Sequence, residues 1–93
     1  MLHFDWDEHN IAHIARHDVV PQEVEYVLNN NPVDIEDYFV EEEQRTFNVG
    51  ETASGRILVV VTTQVGENLR VVTAFKARKV LQELYFRRRY RKV

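Results

Sequence analysis

The sequence contains no cysteine. That excludes disulfides, thiolate nucleophiles and cysteine-built zinc sites, and it suits a reducing compartment. Glycine and proline are scarce, with three and two copies. No Gly/Ser-rich stretch, low-complexity segment or internal repeat interrupts the chain, so nothing marks a linker. Long apolar runs are missing as well. The longest uncharged one, Ile57 to Val65, is nine residues, far short of the roughly 20 that a membrane-crossing helix needs. Met1 to Glu8 carries three acids and no Lys or Arg, which is not the pattern of a secretory signal. The expectation is one cytoplasmic domain over residues 1–93 with no membrane association.

Basic residues are almost absent from the first part of the chain. Residues 1–43 hold twelve acids and one base, Arg16, for a charge of −11; residues 44–93 hold eleven bases and three acids, Glu51, Glu67 and Glu83, for +8. The net charge of −3 conceals this division. Either the two parts attract each other across the fold, or the basic part presents a surface to a polyanion, and both can hold together. A hydrophobic content of 44% over 93 residues supports one modest core.

The pattern predicts an α+β fold: two N-terminal helices, a small antiparallel sheet of three to four strands, and a C-terminal helix. Asp5-Trp6-Asp7-Glu8 fits a capping box that would start the first helix after Asp5. Ile11, Ile14 and Ala15 give its buried stripe, and Trp6 reads as a core anchor, with a stacking surface for a nucleobase as the alternative. Pro21 suits the first turn of a second helix whose apolar side is Val24, Val27 and Leu28. Val33 to Val40 is ambiguous; Val33, Ile35 and Phe39 alternate as in a strand, and the acids between them suggest an edge. Glu41-Glu42-Glu43 reads as an acidic connection. Arg45 to Glu51, Arg56 to Val65 and Leu69 to Phe75 read as strands, the second of them central because it is apolar on both faces and rich in β-branched residues. Gly66-Glu67-Asn68 makes a hairpin. The last helix is expected from about Lys76 to Arg89, packing through Val80, Leu81, Leu84 and Tyr85.

An ordered set of residues resembles the BrnT family. It comprises Phe4 to Glu8, Asn10-Ile11, His13 to His17, Val19, Pro21 to Glu25, Arg45, Gly50, Gly55 to Thr62 and Arg70 to Ala74. The resemblance covers nearly the whole chain and is weakest between Asn29 and Gln44. It implies a RelE-like fold and the toxin of a type II toxin–antitoxin pair. Such a toxin is a metal-independent endoribonuclease that needs no cofactor, inhibits translation by cutting RNA and is neutralised by a cognate antitoxin. Operator DNA would be reached only through the antitoxin, and a homo-oligomer stays open. One position departs from the family pattern: Phe75 stands where the family has the arginine of Ser-Ala-Arg. A catalytically silent module that keeps the partner surface is therefore the alternative function.

Cutting RNA without a metal needs a base for the 2′-OH, a cation for the charge on the phosphorane and an in-line phosphate. Arginine suits the second task because its fork pairs two phosphate oxygens and stays charged. By the resemblance, Arg45 and Arg56 match the family's strand arginines best, and Lys76 and His17 complete the candidate catalytic set. Arg70, Arg78 and Lys79 are candidate RNA contacts. The alternative for the arginines is that they pair with first-half acids and merely close the fold. His9, His13 and His17 recur every four residues on one helix face. Two at this spacing can share a zinc ion, but all three cannot easily do so, since they span roughly 12 Å of helix rise. No metal site is expected. Tyr85, Phe86 and Tyr90 lie among Arg87-Arg88-Arg89 and Arg91-Lys92, a pattern that suits nucleic acid, an acidic partner or a helix end compensating its own dipole.

Overall fold

The computed structural model describes residues 2–90. From the N-terminus the chain forms helices α1 (Glu8–Ala15) and α2 (Pro21–Asn29). Strands β1 (Val33–Val40), β2 (Glu43–Glu51), β3 (Ile57–Val65) and β4 (Asn68–Lys76) follow, then helix α3 (Lys79–Tyr90). The strands form one antiparallel sheet in the order β1-β2-β3-β4, so each joins its neighbour through a tight connection. This is the α+β arrangement that the sequence predicts. No helix among the described residues is long and apolar enough to cross a membrane.

The sheet is covered on both faces, which explains why β3 is apolar on both. Leu58 and Val60 of β3 join Val71 and Ala74 of β4 beneath α1 and α2, where Ile14, Val19, Val24 and Val27 are fully or almost fully buried. Ile57, Val59 and Val61 point the other way, into a second cluster with Val49, Ala77 and Tyr85 of α3. Helix α3 packs mainly over β1 and β2, whereas α1 lies against β4. The α3-side face is therefore less covered toward β4, where Val72, Thr73 and Phe75 are only half-buried. Gly50 is what lets α2 approach β2, because a Cβ there would meet Val27 Cγ1 at 2.7 Å.

Several local expectations shift. Helix α1 starts two residues later than Asp5, since Asp7 caps it reciprocally with Asn10: Asn10 N–H donates to Asp7 Oδ1 (2.9 Å) and Asp7 N–H to Asn10 Oδ1 (2.8 Å). Its buried residues are Asn10 and Ile14, while Ile11 faces solvent. Strand β1 is an edge, and a bulge between Asp34 and Glu36 changes its phase. Tyr38 consequently packs on the core and Phe39 is 69% exposed. Helix α3 starts at Lys79, three residues after Lys76, because β4 continues through Lys76. Val80 stays outside its packing stripe. Trp6 is half-buried against the first cluster, and its Nε1 donates to Glu25 (2.7 Å), as a core anchor would.

Candidate active site

Strand β4 carries a bulge at Val72. Thr73 pairs with Val61 and Val71 pairs with Thr62, so one residue of β4 has no opposite number. In a regular strand Arg70 and Phe75, five apart, would point to opposite faces. The bulge puts both on the α3-side face, because bulges change the phase of a strand. Arg70 now stands in one row with Thr63 of β3 and Arg45 of β2. Two strand spacings separate the arginines, about 10 Å between their Cα atoms.

This row forms part of a cavity of about 290 Å³, which His9, Asn10 and His13 complete from α1 at the β4 edge. Arg45 Nε donates to Glu43 Oε1 at 2.9 Å. That hydrogen bond is the largest cause raising the Arg45 guanidinium's proton affinity above its ordinary value, with a smaller one from the Tyr38 hydroxyl. Arg70 is exposed and makes no ion pair within 4 Å among the described residues. Its charge adds to the effects holding the Asp7 carboxyl below the usual carboxylate range, the largest being the hydrogen bond from the Asn10 backbone. His13 is half-buried.

The remaining candidates lie elsewhere. Arg56 precedes β3 at the opposite end of the sheet, seven residues from Thr63, or about 23 Å along the strand. One phosphate cannot meet Arg45 and Arg56 together. Arg56 Nη1 donates to Glu23 Oε2 (2.8 Å) and to the Asp18 carbonyl (3.0 Å). It thus ties the α1–α2 connection and the first turn of α2 to the sheet, which matches the fold-closing alternative. Asp18 holds a left-handed φ of 60° at that clamp.

Lys76 ends β4 opposite Leu58 and is exposed. Phe75, the residue before it, faces the α3 side; its ring lies 6.0 Å from the His17 ring, and His17 lies 5.9 Å from His13. His17 therefore neighbours Phe75, about four β3 residues or 13 Å from the Arg45–Arg70 row, whereas Lys76 belongs to the opposite face with Leu58. Arg78 and Lys79 are exposed at the start of α3, where the Arg78 carbonyl accepts from Leu81 and Gln82. Arg91 and Lys92 lie outside the described residues.

His9 and His13 are the cavity residues that the sequence alone does not single out for RNA chemistry. Their signal is the four-residue spacing, which from sequence suggests a metal pair or a plain helix face. Among the described residues no three His, Asp or Glu side chains converge as a metal cage would. A second polar cavity, about 280 Å³, lies at the far side of the sheet among Tyr26, Glu51, Tyr85 and Tyr90. There the Tyr85 hydroxyl donates to Glu51 Oε1 at 3.2 Å and Tyr90 reaches the same oxygen. Burial, then the Glu51 charge, pushes the Tyr85 phenol well above its ordinary value.

A sheet face carrying two arginines beside histidines has the functional groups that a phosphodiester requires. Comparison with protein families gives the class directly: the model described as a ribonuclease toxin, BrnT, of type II toxin–antitoxin system matches residues 6–80. The chain belongs to this family. The match runs from Trp6 through β4 into the first residues of α3, so it includes every residue of the Arg45–Arg70 cavity. Family membership implies RNA as substrate and an antitoxin protein as partner. No curated protein matches the chain.

Proposed function

We propose that the chain is a metal-independent endoribonuclease toxin that stops translation by cutting RNA, with its reaction centred on Arg45, Arg70 and His13. The observation that supports this is their convergence on one cavity at the β4 edge. The 2′-oxygen of one nucleotide attacks the adjacent phosphorus and the P–O5′ bond breaks, leaving a 2′,3′-cyclic phosphate and a 5′-hydroxyl. His13 accepts the 2′-OH proton, and His9, one turn earlier, supplies the proton that the departing 5′-oxygen takes up. The two guanidinium groups bear on the non-bridging oxygens, where charge grows in the transition state. Lys76, His17, Arg78 and Lys79 contact RNA beyond the scissile phosphate. A cognate antitoxin neutralises the toxin by covering this basic face, and any contact with operator DNA runs through that antitoxin.

The test is RNA cleavage by purified protein in EDTA. Fragments ending in 2′,3′-cyclic phosphate are expected. Arg45→Ala and His13→Ala should each lower the rate by about 100-fold or more with the circular dichroism spectrum unchanged. Cutting that needs an added divalent ion, or that survives both substitutions, overturns the reading. Phe75, standing where the family pattern has arginine, favours a second reading as a silent partner-binding module. Expression without any partner separates the two, since an active toxin arrests growth and a silent module does not.

A further inference from the structure

We infer that Phe75 and His17 form a nucleobase-stacking subsite, with a preference for purines, on the same RNA strand whose phosphate Arg45 and Arg70 hold. This rests on the Arg45–Arg70 cavity being the RNA site and adds to it a determinant of sequence preference. The bulge at Val72 places Phe75 on the cavity's side of the sheet. Phe75 sits opposite Val59 and is half-buried, so part of its ring packs on the core and part is open. Helix α3 packs chiefly over β1 and β2, which leaves Phe75 half-buried at the margin of the cluster. The exposed His17 ring stands 6.0 Å from Phe75 at 59°, and His13 stands 5.9 Å from His17 at 65°. Three rings therefore lead from the cavity, which His13 lines, to Phe75.

A strand of RNA leaving the cavity along this line meets the flat apolar surface of Phe75, with the His17 ring beside it. Aromatic faces next to a backbone-tracking cation are how proteins hold unpaired nucleotides, because every base has a π-face. A phosphate would find no donor on Phe75, whereas a base finds a ring. Stacking grows with the size of the base, so purines gain more than pyrimidines.

The experiment titrates uncleavable 2′-O-methyl oligonucleotides, one of adenines and one of uridines, by fluorescence anisotropy. A 2-aminopurine placed at successive positions reports stacking. Variants are His17→Ala, on the surface, and Phe75→Leu, which keeps apolar volume over Val59. Each is expected to weaken the adenine oligonucleotide about fivefold or more and to narrow the adenine-over-uridine ratio. The 2-aminopurine quenching should fall, and the slope of affinity against salt should not move, since no phosphate contact is lost. Wild-type affinity and quenching in both variants overturn the subsite while leaving the cavity's role intact. A wild-type protein that binds neither oligonucleotide overturns the RNA site itself, and the subsite with it.

Discussion

Arg56 and Arg70 show how much a single position depends on its surroundings. Both precede or lie within strands and both carry the same charge, yet one is fastened to Glu23 and the Asp18 carbonyl and the other faces a cavity. Arg56→Ala is expected to cost about 1–2 kcal/mol in urea unfolding, because it strips the charged partner from a half-buried Glu23. A variant as stable as the wild type would show that the clamp contributes nothing. At Gly50 the expectation is purely steric. Gly50→Ala should destabilise by about 1–3 kcal/mol, since the new methyl would sit 2.7 Å from the buried, β-branched Val27, with Pro32 also close at 3.4 Å; an unchanged unfolding midpoint would mean that α2 shifts freely. The sequence identifies Arg45, Arg56 and Arg70 as strand-associated cations without telling which are engaged. Glu23 is 33 residues from Arg56, and no local pattern encodes a contact at that range.

Among the elements, β3 and the two N-terminal helices are legible because their signals are local and redundant: β-branched residues, a proline at the first turn, 3-and-4 apolar spacing. What escapes are one-residue events. The α1 cap moves to Asp7 because Asn10 is the residue that can answer it, and the buried Asn10 amide also donates to the Asp5 carbonyl. The Asp7 carboxyl is held below the usual range chiefly by the Asn10 backbone hydrogen bond. A depressed carboxyl contributes stability that is present above its unfolded value near 3.9 and is lost as pH falls through the lower folded value. Asp7→Asn should therefore flatten the acid limb of stability against pH below about 4, measured by thermal melts across pH 2–5. An identical acid limb would count against the cap. The β1–β2 connection carries strain of another kind: Glu41 and Glu42 hold φ values of 49° and 70°, the conformation that Asn-Gly favours in two-residue hairpins. Glu42→Gly is expected to stabilise by about 0.5–1 kcal/mol, read as a raised unfolding midpoint.

For the whole molecule, the charge division is only partly consumed within the fold. The ion pairs within 4 Å among the described residues are Arg45–Glu43 and Arg56–Glu23. Arg70, Lys76, Arg78 and Lys79 are exposed along the β4 edge and into α3. That supports the polyanion reading of the basic half over simple attraction between halves. RNA affinity should accordingly fall steeply with salt, and Arg70→Ala should reduce the slope of log K against log salt by about 0.7, one single-strand phosphate contact. A slope equal to that of the wild type would remove Arg70 from the contact set. The basic second half was visible in composition alone. Its arrangement along one edge was not, because it depends on strand order and on where α3 leaves the sheet open.

The bulge at Val72 makes the pairing of β4 as consequential as its chemistry. Removing that one residue would give a regular strand in which Arg70 and Phe75, then four apart, still share the α3-side face. Drawing Val72 into regular pairing at unchanged length would instead turn Arg70 to the α1–α2 face. Every charged and aromatic side chain would still be encoded, and the family pattern would still read through. A lineage carrying such a toxin can thus lose the bulge codon without parting Arg70 from Phe75, whereas a register slip at unchanged length would part them, a change that no inventory of active-site residues would detect.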